Sequence, residues 1–254
     1  MLLALDIGNT NITLGLYDNA DLLFTARLLT LAGKTADEYA VELKNIFSIH
    51  NRHVADVTGA IIATVVPAVG KVFEDAIEML CGIHALKVGP GVKTGLNILV
   101  DDPAQVGADL AAGAVGALAK YQMPCIMIDM GTATTIFALD KSGNFRGGTI
   151  AAGVKLTLAS LTAKTAQLPQ VSIEAPKSVI GKNTADCMRS GLVFGTAAML
   201  DGIIERMETE LGGTATVVAT GGLAKEIIKH CKKSIVYNEN LLLDGLRLIF
   251  EKNK

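Results

Sequence analysis

Near its start the chain alternates short apolar runs with small polar residues, and one such pattern occurs twice. Leu3-Ala4-Leu5-Asp6-Ile7-Gly8-Asn9-Thr10-Asn11-Ile12-Thr13-Leu14-Gly15-Leu16 reads as two antiparallel strands joined by a tight turn. The pattern returns over 125–139, where Asp129 answers to Asp6 and Gly131 to Gly8. Behind the first hairpin, 18–21 is a turn cluster and 22–28 suits a third strand. Thr35-Ala36-Asp37-Glu38 has the form of a capping box, and Tyr39, Leu43, Ile46 and Phe47 follow at helical spacing, which predicts a helix over 36–49. Residues 58–66 are apolar and β-branched enough for a buried parallel strand ended by Pro67; a helix over 69–80 and a short strand at 85–88 come next.

The next helix is predicted from Asp102-Pro103-Ala104-Gln105, which offers an N-cap Asp, Pro at the first helical position and Gln two residues on; it should run to about Lys120, with Asp109 in its second turn. After the second hairpin come a turn at 140–144, a strand at 145–150, a helix over 153–163 and a loop to Pro176. Asn183-Thr184 caps a long helix to about Leu211, stopped by Gly212-Gly213. Its Gly191 and Gly195, four apart, predict close helix packing, within a domain or across a dimer. A strand at 216–219 breaks at Thr220-Gly221-Gly222, and a strand at 234–237 and an amphipathic segment at 241–251 complete the chain. The fold class is α/β, with domains over 1–118 and 119–254, each a mixed sheet of three antiparallel strands followed by alternating helices and parallel strands.

Composition narrows the partners. Half of the 254 residues are apolar, yet no uncharged run approaches the ~20 residues of a membrane span, and the N-terminus reaches Asp6 without a basic region, so a soluble, cytoplasmic chain without a signal peptide is expected. A net charge of −2 with scattered signs argues against nucleic acid or an anionic membrane as partner. Cys81, Cys125, Cys187 and Cys231 lie far apart and read as reduced core residues. His50 and His53 lack the acidic neighbour of a metal motif; no chemistry is assigned to them, nor to His84 and His230.

The hairpins carry the chemistry. Glycine lets backbone N–H groups approach an anion, and Asn9, Thr10, Thr132 and Thr134 add side-chain donors. An Asp at a strand end repels phosphate but can hold a cation that binds it, so two such hairpins facing each other would clamp a polyphosphate. Gly221-Gly222 is a place where a nucleoside could lie against bare backbone. Asp109, a lone carboxylate among Gly107, Ala108 and Leu110, is either an exposed helix residue or a general base held in a cleft.

These residues resemble a known family. The duplicated Asp-x-Gly hairpin with a late Gly-Gly turn is similar to the acetate and sugar kinase, Hsp70 and actin superfamily. Within it, Asp6-Ile7-Gly8-Asn9-Thr10-Asn11, Gly107-Ala108-Asp109, Asp129-Met130-Gly131-Thr132-Ala133-Thr134-Thr135, Ile180-Gly181-Lys182-Asn183-Thr184 and Ala219-Thr220-Gly221-Gly222 match type III pantothenate kinase in order and spacing. The resemblance implies duplicated RNase H-like domains with the nucleotide between them and ATP-dependent phosphorylation of pantothenate, the first step towards coenzyme A. It further implies Mg²⁺, a monovalent cation (K⁺ or NH4⁺), and a homodimer with the substrate pocket at its interface. By position, Asp6, Gly8, Asn9, Thr10, Asn11 and Thr132 would meet the ATP phosphates, with Asp6 serving the Mg²⁺. Asp129 would hold the monovalent cation, and Gly221 and Gly222 would flank the adenosine. Gly107, Ala108 and Thr184 would line the pantothenate site, and Asp109 would act as the base.

Departures from the family pattern cluster on the pantothenate side. Leu110 stands where Arg usually follows the Asp, Val100 replaces a Tyr, Asp102 replaces an Asn, Lys164 an Arg and Ala152 a Pro. Two alternatives follow from them: a homologue that binds nucleotide but has lost the kinase activity and acts as a regulator or partner protein, and a kinase for another small hydroxy acid.

Overall fold

The computed structural model describes Met1–Lys254. The chain divides into two compact units, the first comprising Met1–Leu96, Asp101–Ala119 and Asn240–Lys254, the second Asn97–Val100 and Lys120–Glu239.

In the first unit, β1 (Leu2–Ile7), β2 (Asn11–Asp18), β3 (Asp21–Leu29), β4 (Gly59–Thr64) and β5 (Leu86–Lys87) form one sheet in the order β3-β2-β1-β4-β5. The first three strands are an antiparallel meander, and β4 runs parallel to β1. Helix α1 (Ala36–Ile49) starts at the predicted capping box, in which Thr35 Oγ1 accepts from the Glu38 N–H and the Glu38 carboxylate accepts from the Thr35 N–H at 2.8 Å. Helix α2 (Pro67–Cys81) takes Pro67 into its first turn and ends at the left-handed Gly82. These helices cover one face of the sheet, where Tyr39, Leu43, Phe47 and Phe73 pack on Leu3, Leu5 and Ile7. On the other face Leu2, Ala4, Ile61 and Ala63 meet Ala112 and Val115 of α3 (Ala108–Lys120) together with Leu243, Leu246 and Ile249 of the C-terminal helix. Burial on both faces is why β1 reads as a continuous apolar run rather than an alternation.

Helix α3 begins later than the sequence pattern predicts. Asp102 caps only a single 3₁₀ turn, Pro103–Gln105, its Oδ1 accepting from the Ala104 N–H at 3.1 Å. The chain is extended at Val106, and the helix restarts with Ala111 N–H donating to the Gly107 carbonyl at 3.0 Å. Asp109 therefore lies in the first turn of α3, not the second.

The second unit repeats the strand order. Its sheet of β6 (Cys125–Met130), β7 (Ala133–Leu139), β8 (Phe145–Ala152), β9 (Thr216–Thr220) and β10 (Val236–Tyr237) is ordered β10-β9-β6-β7-β8. Helices α4 (Val154–Lys164), α5 (Thr184–Ser190), α6 (Thr196–Leu211) and α7 (Ala224–Ile228) complete it. Both sheets are RNase H-like, as the duplicated hairpins imply. The predicted long helix is α5 and α6 joined by one π-helical turn at Gly191–Gly195. By length and composition Thr184–Leu211 could cross a membrane, but Leu192, Val193, Ala197, Leu200 and Ile204 pack into this unit's core. The packing predicted for Gly191 and Gly195 is absent within the chain, because a Cβ at either would meet nothing within 4 Å.

Two placements have no counterpart in the linear pattern. Residues 97–100 lie along β8, with Leu99 N–H donating to the Phe145 carbonyl and Phe145 N–H to the Asn97 carbonyl, both at 2.8 Å. The C-terminal helix, α8 (Leu241–Lys252), belongs to the first unit, whereas a single cut near residue 118 groups it with the second. Cys125 is buried and Cys81 and Cys231 are half-buried, the Cys125 thiol pushed up to about 12 by burial and the Cys231 thiol to about 12 by burial and the nearby Asp201, but Cys187 is exposed, so the core reading fails for that residue. His50 stacks on Phe24 with ring centroids 4.1 Å apart, a packing role.

Candidate active site

Each hairpin is closed by its own glycine and braced from the following strand. Gly8 N–H donates to the Asn11 carbonyl and Gly131 N–H to the Ala133 carbonyl, both at 3.0 Å, so these two donors are used inside the turns rather than offered to an anion. Asn9, Thr10, Asn11 and Thr132 are exposed at the turns and are the groups able to meet one. Just past β3, Thr30 donates its N–H to the Thr10 carbonyl at 3.0 Å and its hydroxyl to the Gly8 carbonyl at 2.7 Å. Just past β8, Gly153 N–H donates to the Thr132 carbonyl at 3.0 Å, and a Cβ on Gly153 would stand 2.4 Å from that oxygen. Thr30 and Gly153 are matched braces that the sequence reading missed; their equal placement after the third strand of each repeat was the available signal.

Asp6 is the penultimate residue of β1, opposite Thr13, with Ala63 on its other side. Asp129 is the penultimate residue of β6, opposite Thr135 of β7 and Thr220 of β9. Gly221 follows with φ +97°, and a Cβ there would lie 2.6 Å from the Met130 carbonyl oxygen, so the Thr220-Gly221-Gly222 turn rests directly on the backbone next to Asp129. The second unit thus brings Asp129, Gly221 and Gly222 to the same end of its sheet. As donor sets, the half-exposed Asp6 carboxylate offers the hard oxygen that Mg²⁺ prefers, and Asp129 with flanking threonines offers oxygens suited to a monovalent cation.

Gly107, Ala108, Asp109 and Leu110 sit together where α3 begins. Asp109 Oδ1 accepts from the Leu110 N–H at 2.8 Å, and a Cβ on Gly107 would fall 2.4 Å from that same oxygen. Glycine at 107 is what lets the carboxylate fold back against its own helix start. Burial pushes the Asp109 carboxyl above the ordinary carboxylate range, and the backbone hydrogen bonds only partly oppose it. Val100 lies in the second unit, where a Cβ on Gly147 would be 3.5 Å from its Cγ1. Thr184, exposed at the first position of α5, borders an apolar groove of about 430 Å³ with Leu161, Leu168, Met188 and Leu192.

The family model described as type III pantothenate kinase matches residues 2–206. A protein named type III pantothenate kinase from an Exiguobacterium species is 42% identical over 254 residues, covering 100% of both chains. One of the same name from Shouchella clausii is 43% identical over 256 residues, again covering 100% of both. Among solved structures, a Campylobacter jejuni protein described as a Baf family transcriptional activator aligns with a TM-score of 0.64 at 16% identity, covering 99% of this chain and 98% of that one. The activator of 2-hydroxyisocaproyl-CoA dehydratase from Clostridium difficile, solved with bound ADPNP, aligns at 0.57 and 14%, covering 99% and 95%. At such identities these two structures speak for the fold alone, but the duplicated hairpins, the Asp109 turn and full-length identity above 40% run together along one chain: it belongs to the type III pantothenate kinase family.

Proposed function

We propose that this chain transfers the γ-phosphoryl group of ATP to the hydroxyl of pantothenate, opening coenzyme A synthesis in the cytoplasm, with Asp109 as the base. The observation that carries it is the Asp109 carboxylate at the start of α3, folded onto the Leu110 N–H at 2.8 Å and raised by burial, at the position the family resemblance assigns to the base. The full-length relatives are named as kinases, which favours the enzyme over a silent homologue or another acceptor.

The Leu110 N–H occupies Asp109 Oδ1, leaving Oδ2 to accept the substrate hydroxyl, align it for attack and take its proton as the new P–O bond forms. By the family resemblance, Asn9, Thr10, Asn11 and Thr132 would meet the phosphate oxygens, and Gly221 and Gly222 the adenosine. Asp6 would hold Mg²⁺ and Asp129 a K⁺ or NH4⁺ ion, whose positive charge would offset that of the phosphates. Leu110 and Val100 deprive the pantothenate carboxylate of the family's Arg and Tyr, so the acceptor binds more weakly than the family pattern allows. Homodimer formation is supported by the open glycine face at Gly191 and Gly195 and by the neighbouring Val179 and Ile180, 64% and 79% exposed.

The test is ADP release from Mg-ATP with and without pantothenate, in K⁺ and then Na⁺. Pantothenate-dependent, K⁺-stimulated turnover that disappears in Asp109→Asn is expected. ATP binding without such turnover would overturn the assignment.

A further inference from the structure

Helices α3 and α8 cross with their backbones in contact. A Cβ on Gly245 would stand 1.8 Å from the Ala112 carbonyl oxygen and 3.0 Å from the Gly116 nitrogen. One on Gly116 would stand 2.3 Å from the Leu241 carbonyl oxygen. At these two glycines the nearest atoms across the crossing are backbone, with the Leu241 side chain next at 3.3 Å from a Cβ on Gly116. Ala112 lies one helical turn beyond Asp109, so the contact bears on the turn stacked against the one that carries the carboxylate. Helix α8 is itself fastened to the sheet. Asp244, beside Gly245 and 8% exposed, accepts a hydrogen bond at 2.9 Å from the hydroxyl of Tyr17, which is fully buried in β2. Leu243, Leu246 and Ile249 add apolar contact to the same face of the sheet. A continuous series of rigid contacts therefore runs from β2 through Asp244 and Gly245 to Ala112 and the start of α3.

We propose that Gly245 and Gly116, held in place by the Tyr17–Asp244 hydrogen bond, are positioning residues for the phosphoryl transfer, setting how α3 seats and hence where the Asp109 carboxylate meets the substrate hydroxyl. The proposal rests on Asp109 being the base. Backbone against backbone cannot yield as a side chain would, so one methyl group at 245 displaces α3 by ~1 Å or more, and misplacement of that size costs roughly 10²-fold in rate.

The experiment compares the full-length wild type, Gly245→Ala, Tyr17→Phe and Phe73→Leu. Phe73 lies in the core on the opposite face of the same sheet and serves as a stability control. Two quantities are read: kcat with KM for ATP and pantothenate, and the carboxyl ¹³C NMR titration of Asp109 without substrates. Gly245→Ala should lower kcat by roughly 10²-fold, leave KM for ATP unchanged and move the Asp109 midpoint back towards the ordinary carboxylate range. Tyr17→Phe should shift both in the same direction by less, and Phe73→Leu should lower the melting temperature alone. Wild-type kcat and midpoint in Gly245→Ala, or an equal kcat loss in Phe73→Leu, would overturn the proposal. Should Gly245→Ala not fold, Tyr17→Phe decides: a moved midpoint sustains the proposal and an unmoved one overturns it. A wild type without pantothenate-dependent turnover removes the kinase assignment, while the titration still reports whether the crossing positions Asp109.

Discussion

Asp109 is a residue whose burial works against the fold and for the reaction. Because its folded pKa is raised, the folded chain holds the proton more tightly than the unfolded one. That stabilisation is complete below the ordinary carboxylate range and is lost as pH rises through the raised value. Asp109→Asn is therefore expected to raise the melting temperature at neutral pH while lowering kcat by roughly 10²- to 10⁴-fold, read by calorimetry and ADP release on one preparation. For the same reason the acid limb of kcat should lie above the pH at which an exposed Asp titrates. Next to it, Leu110→Arg would place a cation beside Asp109, where the proposed reaction puts the pantothenate carboxylate. One charge-assisted hydrogen bond is worth roughly 1.5–3 kcal/mol, so KM for pantothenate should fall by about 10- to 100-fold, and an unchanged KM would show that the pocket compensates elsewhere. Asp109 was visible in the sequence as an isolated carboxylate; the space that Gly107 leaves for it was not, because Asp109 folds back over Gly107 only once the 3₁₀ turn breaks before α3.

At the scale of elements, local signals and tertiary contacts divide cleanly. The capping box at Thr35 and Glu38 is local chemistry, and Thr35→Ala should destabilise the fold by ~1 kcal/mol in chemical denaturation without affecting turnover. The start of α3 shows the opposite case. Asp102-Pro103-Ala104-Gln105 is a sound helix start by composition, yet it makes one 3₁₀ turn, since the helix that packs under the sheet begins at Ala108. The turn at Gly221 combines both: a positive φ that only glycine adopts readily, and a Met130 backbone too near for any Cβ. Gly221→Ala should destabilise the second unit by roughly 1–3 kcal/mol and weaken nucleotide binding, measured by denaturation and by titration with a fluorescent ATP analogue. Sequence marked Gly221 as a turn residue; the clash that makes the glycine obligatory comes from β6, ninety residues earlier in rough terms, and no local pattern encodes it.

At the scale of the whole molecule, the first sheet depends on the last helix. Without Asn240–Lys254 the face of Leu2, Ala4, Ile61 and Ala63 loses Leu243, Leu246 and Ile249. A chain truncated after Glu239 is expected to lose hydrogen-exchange protection in β1 and β4 while β6 and β9 stay protected; equal loss in both sheets would contradict the division into units. The sequence by itself determined the repeated hairpins, the three-strand antiparallel start of each unit, most helix positions and the family, because these follow from short-range periodicity, capping residues and motifs a few residues long. Only the tertiary structure decided that α8 returns to the first unit, that residues 97–100 pair with β8, that Thr30 and Gly153 brace the hairpin turns, and that Gly116 and Gly245 let two helices touch. Each of these is a contact between segments far apart in the chain, where the determining quantity is the space left between backbones, and linear spacing carries no record of that space.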